Sequence, residues 1–266
     1  MKTHTLQFAN RFIIKARRTP REESPQELGG RTLRCLDAII PLHAAFHDWQ
    51  FIRRSRDPDE MEENNYRDFL WPLEQARLRM TDVVVEWAVN LDDFGQPEPR
   101  DGYDILASNR DVDLPQSVIL NVDGGGLMRW TGSRRNASFE TNMAHEADPT
   151  IVSYPVFKAV LMAIISCWDV EFAQAYSRDL AQLWDPILPL CNLSWMVYLS
   201  APLARQITVP ADIVVERLTD GGLILIAAEE TFDVANPDHV ARARSIVKAM
   251  EPLNAEEAER KAKRRW

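Results

Sequence analysis

Residues 157–168 constrain the fold more than any other stretch of the chain. After Pro155, the apolar residues Phe157, Val160, Leu161, Ile164, Ile165 and Trp168 recur at i, i+3, i+4, i+7, i+8 and i+11. That spacing lays one apolar stripe along a helix, and the stripe must be buried against another element. The chain supplies such an element at residues 223–226. Leu223, Ile224, Leu225 and Ile226 are too apolar to leave a wet face, and they follow a turn at 220–222. They read as a central strand.

Other segments extend the pattern. Residues 4–15 mix aromatic and β-branched side chains and read as a first strand. Ser24, Pro25 and Glu27 form a helix start, with an N-cap, a proline at the first helical position and a capping-box glutamate. Leu28, Cys35, Leu36, Ile39 and Ile40 share one face of that helix, which Pro41 ends. Gly29 and Gly30 weaken its first turns by up to about 1 kcal/mol each relative to alanine. Strands are expected at 46–52, 103–108, 117–122, 138–142, 171–176 and 195–200, and a hairpin at 212–217 and 223–228. The charged block 53–65 reads as a loop leading into a helix that runs to about Met80. Residues 83–89 (VVVEWAV) either end that helix or form a strand, and their β-branching favours the strand. Asn236 and Pro237 open a last helix with Val240, Ala243, Val247 and Met250 on one face. The charged tail from Asn254 is expected to fray.

These strands alternate too irregularly with helices for a βαβ series. The expected class is α+β, a mainly antiparallel sheet with amphipathic helices packed on it. One domain is expected over 1–253, with a charged tail at 254–266. Both halves carry an amphipathic helix, a tryptophan-bearing segment and strands, which admits an internal duplication, although no fixed-period repeat is present.

The formal charge of the 266-residue chain is −9. Residues 254–266 hold five basic and three acidic side chains, a net of +2, which leaves −11 on the rest. Such a body repels phosphates, so nucleic acid is a poor ligand. It speeds association with a basic partner instead. The three cysteines, Cys35, Cys167 and Cys191, are far apart and form no CxxC pair. That argues against a disulfide framework and against structural zinc. No signal-peptide run is visible, and no window approaches the ~18 apolar residues of a membrane helix. A soluble, cytoplasmic protein is the expectation.

Each candidate for chemistry has a simpler explanation. Asp123-Gly124-Gly125-Gly126 follows a strand but lacks GxGxxG spacing and any following Lys-Ser/Thr, so a turn with positive φ is favoured over a phosphate cradle. His145, Glu146 and Asp148 sit in a loop without helical ligand spacing. His43 and His47 flank a helix-to-strand junction, and His4 and His239 have no evident partners. No GxSxG elbow appears. Cys167 falls on the apolar helix face and reads as a small buried hydrophobe. Glu229 and Glu230 are strand neighbours that point to opposite faces. The expectation is no catalytic residue, no metal, no cofactor and no enzyme. A metal-dependent hydrolase built on His145, Glu146 and Asp148 is the least favoured alternative.

Three acidic groups stand out. Asp57, Asp59, Glu60, Glu62 and Glu63 fall within seven residues; Asp92, Asp93, Glu98 and Asp101 form a second group, and Asp111 and Asp113 a third. Each alone is a solvated loop. Together they make an acidic surface suited to a cationic cleft. Binding would also need aromatic anchors, for which Trp49, Trp71, Trp87 and Trp130 are candidates.

Stretches spanning most of the sequence, from about 7 to 250, are similar to a known family. The stretches WMVYLSAPLARQI, starting at Trp195, and ERLTDGGLILIAAEETFDVANPDHVARARSIVKAM, from Glu216, carry the resemblance, with DGGLILIAAEETFDVANPDH (220–239) matching best. RTLRCLDAIIPLHAAFHDWQFI (31–52) adds an N-terminal anchor, while 53–150 matches loosely. Together these resemble the immunity protein 52 family of bacterial polymorphic-toxin systems. The resemblance implies a protein that neutralises a secreted toxin inside the producing cell and its kin. The toxin it implies is a nuclease of restriction-endonuclease type, often delivered by type VI secretion. It carries over no catalytic residues and no fixed set of toxin contacts. An adaptor or structural protein of a secretion apparatus is the alternative. The oligomeric state is left open.

Overall fold

Alternation along strand β1 (Phe12–Arg18) sets the two faces of the molecule. Phe12, Ile14, Ala16 and Arg18 are buried on one side, while Lys15 is exposed on the other. The computed structural model describes residues 10–18, 21–52, 70–90, 102–109, 114–125, 136–141 and 145–263. Nine further strands are present among them. These are β2 (Trp49–Ile52), β3 (Leu70–Pro72), β4 (Tyr103–Asn109), β5 (Val118–Gly124), β6 (Asn136–Thr141), β7 (Val170–Ser177), β8 (Met196–Leu199), β9 (Val214–Arg217) and β10 (Leu223–Ile226). All ten form one antiparallel sheet in the order β3-β2-β4-β5-β6-β1-β7-β8-β10-β9. The apolar run at 223–226 lies between β8 and β9 and is buried throughout.

Helix α1 (Pro25–Ile39) begins at the expected capping box. The Ser24 hydroxyl accepts from the Glu27 amide at 3.2 Å, and the Glu27 carboxylate accepts from the Ser24 amide at 2.8 Å. A single 3₁₀ turn at Ile40–Leu42 ends the helix at Pro41. Short helices α2 (Leu73–Leu78) and α3 (Met80–Val83) follow β3. Next come α4 (Tyr154–Cys167), α5 (Arg178–Ala181), α6 (Ala201–Ala204), α7 (Pro237–Ala249) and α8 (Glu251–Lys263).

The apolar stripe of α4 does what its spacing predicts. Phe157 stacks on Trp195 with ring centroids 5.5 Å apart and meets Phe12 and Phe139 edge-on at 6.1 and 6.2 Å. Phe157, Phe139 and Trp195 have no exposed surface at all. Edge-to-face and offset aromatic pairs add about 0.5–1.5 kcal/mol each beyond their burial.

The structure departs from the sequence reading in several places. Residues 83–89 are not a strand. α3 runs on into one π-helical turn, Val84–Ala88. Val83 and Val84 are buried there against α1, and packing overrides their β-propensity. Strand β2 starts at Trp49 rather than at 46, and Phe46 is buried ahead of it against Phe139. Asp123 and Gly124 belong to β5, and the turn starts only at Gly125, with φ of +82°. The segment from Asn254, expected to fray, is helical through Lys263 and buries Asn254 and Glu257. The strand order does not itself show an internal duplication. Among the described residues no helix is long and apolar enough to cross a membrane.

Candidate partner-binding surface

Asp57, Asp59, Glu60, Glu62, Glu63, Asp92, Asp93, Asp101, Asp111 and Asp113, the acids that sequence points to, lie outside the described residues, as do Glu98 and Trp130. The sheet nevertheless fixes where their segments attach. β2 runs antiparallel to β4, with Trp49 opposite Asn109 and Phe51 opposite Ala107, and Ile52 pairs with Leu70 of β3. The chain therefore leaves β2 for 53–69 heading toward the end of the sheet where β4 begins. Segment 91–101 attaches at that same end, since Val89 bridges Tyr103 and the Asn90 amide donates to the Gly102 carbonyl at 3.0 Å. Residues 110–113 follow Asn109 at the opposite end. At about 3.3 Å per residue the seven residues of β4 separate the two ends by roughly 20 Å. The described flanks thus point segments 53–69 and 91–101 toward one end of β4 and attach 110–113 at the other.

The first of these ends is built around a buried ion-pair node. β1 delivers Arg18 there, and the guanidinium is 3% exposed. It donates to the Asp123 carbonyl at 3.0 Å, pairs with the Glu23 carboxylate, and lies over the Trp168 ring at 4.2 Å. Glu23 also accepts from Arg31 at 2.9 Å and Arg21 at 3.2 Å. Both of these arginines reach Asp169 at 2.9 Å. Burial disfavours the Arg18 charge and lowers its pKa although Glu23 opposes this. Burial also opposes the charge on Arg31, but its bonds to Asp169 and Glu23 prevail and raise its pKa. The Arg31 hydrogen bond holds Asp169 below the usual carboxylate range. Gly124 closes over the node. A Cβ there would lie 2.6 Å from Arg18 Nη1 and 2.7 Å from Leu28 Cδ1. Asp123, Gly124 and Gly125 are therefore a strand end and the start of a turn, and the arginine fills the space a phosphate would need at Gly124.

Two acids of this end belong to strands. Asp104 of β4 stands directly opposite Asp123 of β5, on the face away from buried Ile105 and Val122. Like charges facing across a ladder cost stability unless other groups offset them. Sequence reasoning looked for acids in loops and missed this pair. The signal was the alternation of Asp104 between apolar Tyr103 and Ile105.

Several of the remaining candidates make structural contacts. Asp148 accepts from the Thr150 hydroxyl at 2.6 Å and its amide at 2.9 Å, and these bonds lower its pKa. Glu146 accepts from the Asn10 amide at 3.3 Å, and His43 contacts Thr150 at 3.1 Å. His239, which sequence left without a partner, meets Glu230 at 2.9 Å. Among the described residues no group of three or more His, Cys, Asp or Glu is placed to hold a metal. Trp49 is buried, Trp71 is half-buried beneath Arg79 at 5.5 Å, and the Trp87 side chain is outside the described set. A hollow beside Arg17, Phe172, Leu253 and Glu257 has a volume of about 60 Å³, far below the ~300 Å³ at which ligand pockets begin.

Residues 138–254 match the model of the family described as Immunity protein 52. The resemblance carried by residues 220–239 is thereby shown over the second half of the chain, and it implies an immunity protein whose partner is a cognate toxin. No curated protein matches the chain in sequence. Among solved structures, the Pseudomonas aeruginosa T6SS protein PA0821 aligns over 91% of this chain and 73% of its own, with a TM-score of 0.50 and 10% identity. At that identity the likeness is one of fold alone.

Proposed function

We propose that this is an immunity protein that binds and neutralises a cognate secreted toxin, a nuclease of restriction-endonuclease type, within the cytoplasm. The observation that carries the reading is the family match over residues 138–254. Charge supports the nature of the toxin. A nuclease cleft is cationic because it grips phosphates, and a chain with a formal charge of −9 complements it. Asp57, Asp59, Glu60, Glu62, Glu63, Asp92, Asp93 and Asp101 would meet the toxin from the sheet end where Asp104 and Asp123 face each other. Asp111 and Asp113 would meet it from the other end. The chain acts by occupying the toxin and not by catalysis.

Co-expression with the product of the neighbouring gene tests this. That product should kill cells when expressed alone, cut DNA or RNA in vitro, and lose both effects when this protein is present. A non-toxic neighbour, or toxicity that persists with both proteins soluble, would sink the reading. A toxin that is neutralised but lacks nuclease activity would leave an immunity protein and remove the nuclease. Recovery of secretion components with no toxin would point to an adaptor instead.

A further inference from the structure

Helices α1 and α4 pack side by side, and each brings a cysteine to their contact. Cys35 of α1 is completely buried. Cys167, the last residue of α4, is half-buried and reaches the surface. This corrects the expectation of a buried, inert Cys167. The two sulfurs lie close enough across this contact to interact. Trp168 Nε1 approaches Cys35 as well but makes no hydrogen bond of ordinary length. Ser166 Oγ lies 3.8 Å from Cys167 Sγ, and Arg34 and Arg31 add positive charge nearby. The third cysteine, Cys191, is fully buried and far less equipped, with only the Asn192 carbonyl against its sulfur at 3.4 Å.

We propose that Cys167 and Cys35 form a peroxide-oxidisable pair, in which Cys167 is the attacking thiol and Cys35 the resolving one. The Cys167 thiolate attacks one oxygen of the peroxide, the O–O bond breaks, and hydroxide leaves. Cys167 is then a sulfenic acid. The Cys35 sulfur attacks the Cys167 sulfur, the S–O bond breaks, and the departing oxygen takes the Cys35 proton as water. Two thiols are oxidised to one disulfide, and hydrogen peroxide is reduced to two waters once the hydroxide picks up a solvent proton.

Exposure assigns the two roles, since peroxide reaches the half-buried Cys167 from solvent while Cys35 has no exposed surface. The Cys35 hydrogen bond, with help from Ser166 and the arginines, holds the Cys167 thiol well below its usual range against the burial that opposes it. Cys35 is pushed well above that range by its bond to Cys167 and by burial. An accessible, low-pKa thiol beside a resolving cysteine is the arrangement that oxidises reversibly. The product would tie α1 to α4 and close a loop of about 130 residues, a length at which a cross-link restricts the unfolded chain strongly. The inference is independent of the toxin and of the proposed function.

The test uses the purified, reduced full chain and hydrogen peroxide. Wild type should lose the mass of two hydrogens, yield a Cys35–Cys167 linked peptide under non-reducing digestion, and gain roughly 5–10 °C in thermal midpoint. Dithiothreitol should reverse all three. In Cys35→Ser, Cys167 should instead accumulate as a sulfenic acid that dimedone traps. In Cys167→Ser, a change at a partly exposed helix end, Cys35 should stay reduced. Overoxidation of wild-type Cys167 without the linked peptide overturns the proposal. So does oxidation of Cys191 as fast as Cys167, or oxidation of Cys35 at the wild-type rate in Cys167→Ser.

Discussion

The Cζ atom of Arg18 sits 4.2 Å from the centroid of the Trp168 indole while the same guanidinium pairs with Glu23. Arg18 and Glu23 are both almost fully buried. Removing one partner of such a pair leaves an uncompensated charge in a dry site, which is far more costly than never having the pair. Glu23→Gln is therefore expected to destabilise the fold by about 3–5 kcal/mol. Adding Arg18→Met should recover part of the loss, because an apolar residue of similar volume can occupy the space against Trp168. Urea denaturation with an unchanged m-value checks both. A double mutant no more stable than Glu23→Gln would show that the arginine charge is not the source of the cost.

The same node predicts a response to acid. The pKa of Asp169 is held down first by its hydrogen bond from Arg31 and then by the surrounding arginines. A carboxylate with a lower pKa folded than unfolded stabilises fully above the unfolded value, about 3.9, and loses that contribution as pH falls through the folded one. Asp148 and Glu27 are shifted the same way. Asp169→Asn should thus cost stability at pH 7 and progressively less below about pH 4. The side chain of Asp169 is 52% exposed, so solvent screening limits the neutral-pH cost to about 0.5–1 kcal/mol, smaller still in high salt. Denaturation midpoints of both proteins from pH 7 to 3 should converge; parallel curves would contradict the assignment.

Much of this architecture is legible in the sequence because periodicity reports burial. The α4 stripe, the Ser24–Glu27 capping box and the 223–226 run all fold as their patterns dictate, since local propensity and the tertiary environment agree there. The segment 83–89 reads wrongly for the opposite reason. Its valines favour a strand locally, yet their burial against α1 makes a π-turn the better solution. The Arg18 node could not be read at all. It joins residues 18, 23, 31, 123 and 169, and no spacing rule connects them. The acids at 57–63, 92–101 and 111–113 were legible as charge runs. What they touch depends on a partner, which no periodicity encodes.

Gly29 gives a third prediction, and it reverses the simplest reading. In a helix, alanine is favoured over glycine by up to about 1 kcal/mol. At this position a Cβ would lie 2.7 Å from Met80 Cγ and 3.3 Å from Val84 Cγ2, both on buried residues. The glycine lets α1 and the π-turn approach closely. Overpacking of this kind costs about 1–3 kcal/mol, so Gly29→Ala should be net destabilising by about 1 kcal/mol. Met80→Ala, combined with it, should cost less than the sum of the two single changes. A stabilised Gly29→Ala would mean that the helices separate more easily than this packing allows.

Asn254 anchors the segment that composition alone would release. Its Oδ1 accepts from the Leu190 and Cys191 amides at 3.0 and 2.9 Å, and its Nδ2 donates to the Cys191 carbonyl at 3.2 Å. The residue is 5% exposed. Asn254→Ala would orphan three backbone groups, for an expected loss of about 2–3 kcal/mol. Amide hydrogen exchange should rise at Leu190 and Cys191 and along α8 while β1 stays protected. Unchanged exchange at 190–191 would show that these bonds do not hold the helix in place.

Attachment of the acidic segments at two ends of the sheet yields the last prediction. Segment 91–101 attaches near Tyr103 and 53–69 leaves β2 heading toward that end, whereas 110–113 follows Asn109 at the other end of β4, roughly 20 Å from Tyr103. That distance exceeds the ~8 Å Debye length at physiological salt. A toxin whose cationic cleft docks at one end should therefore feel one set of charges strongly and the other weakly. Neutralising Asp57, Asp59, Glu60, Glu62 and Glu63 together should slow association by about tenfold at low salt and flatten its salt dependence, while changing the dissociation rate little. Asp111→Asn with Asp113→Asn should change association by less than about twofold. Stopped-flow or biosensor kinetics at several ionic strengths separate these outcomes. Equal effects from both sets would mean that the partner spans the sheet from end to end, and no effect from either would place the interface away from these acids altogether.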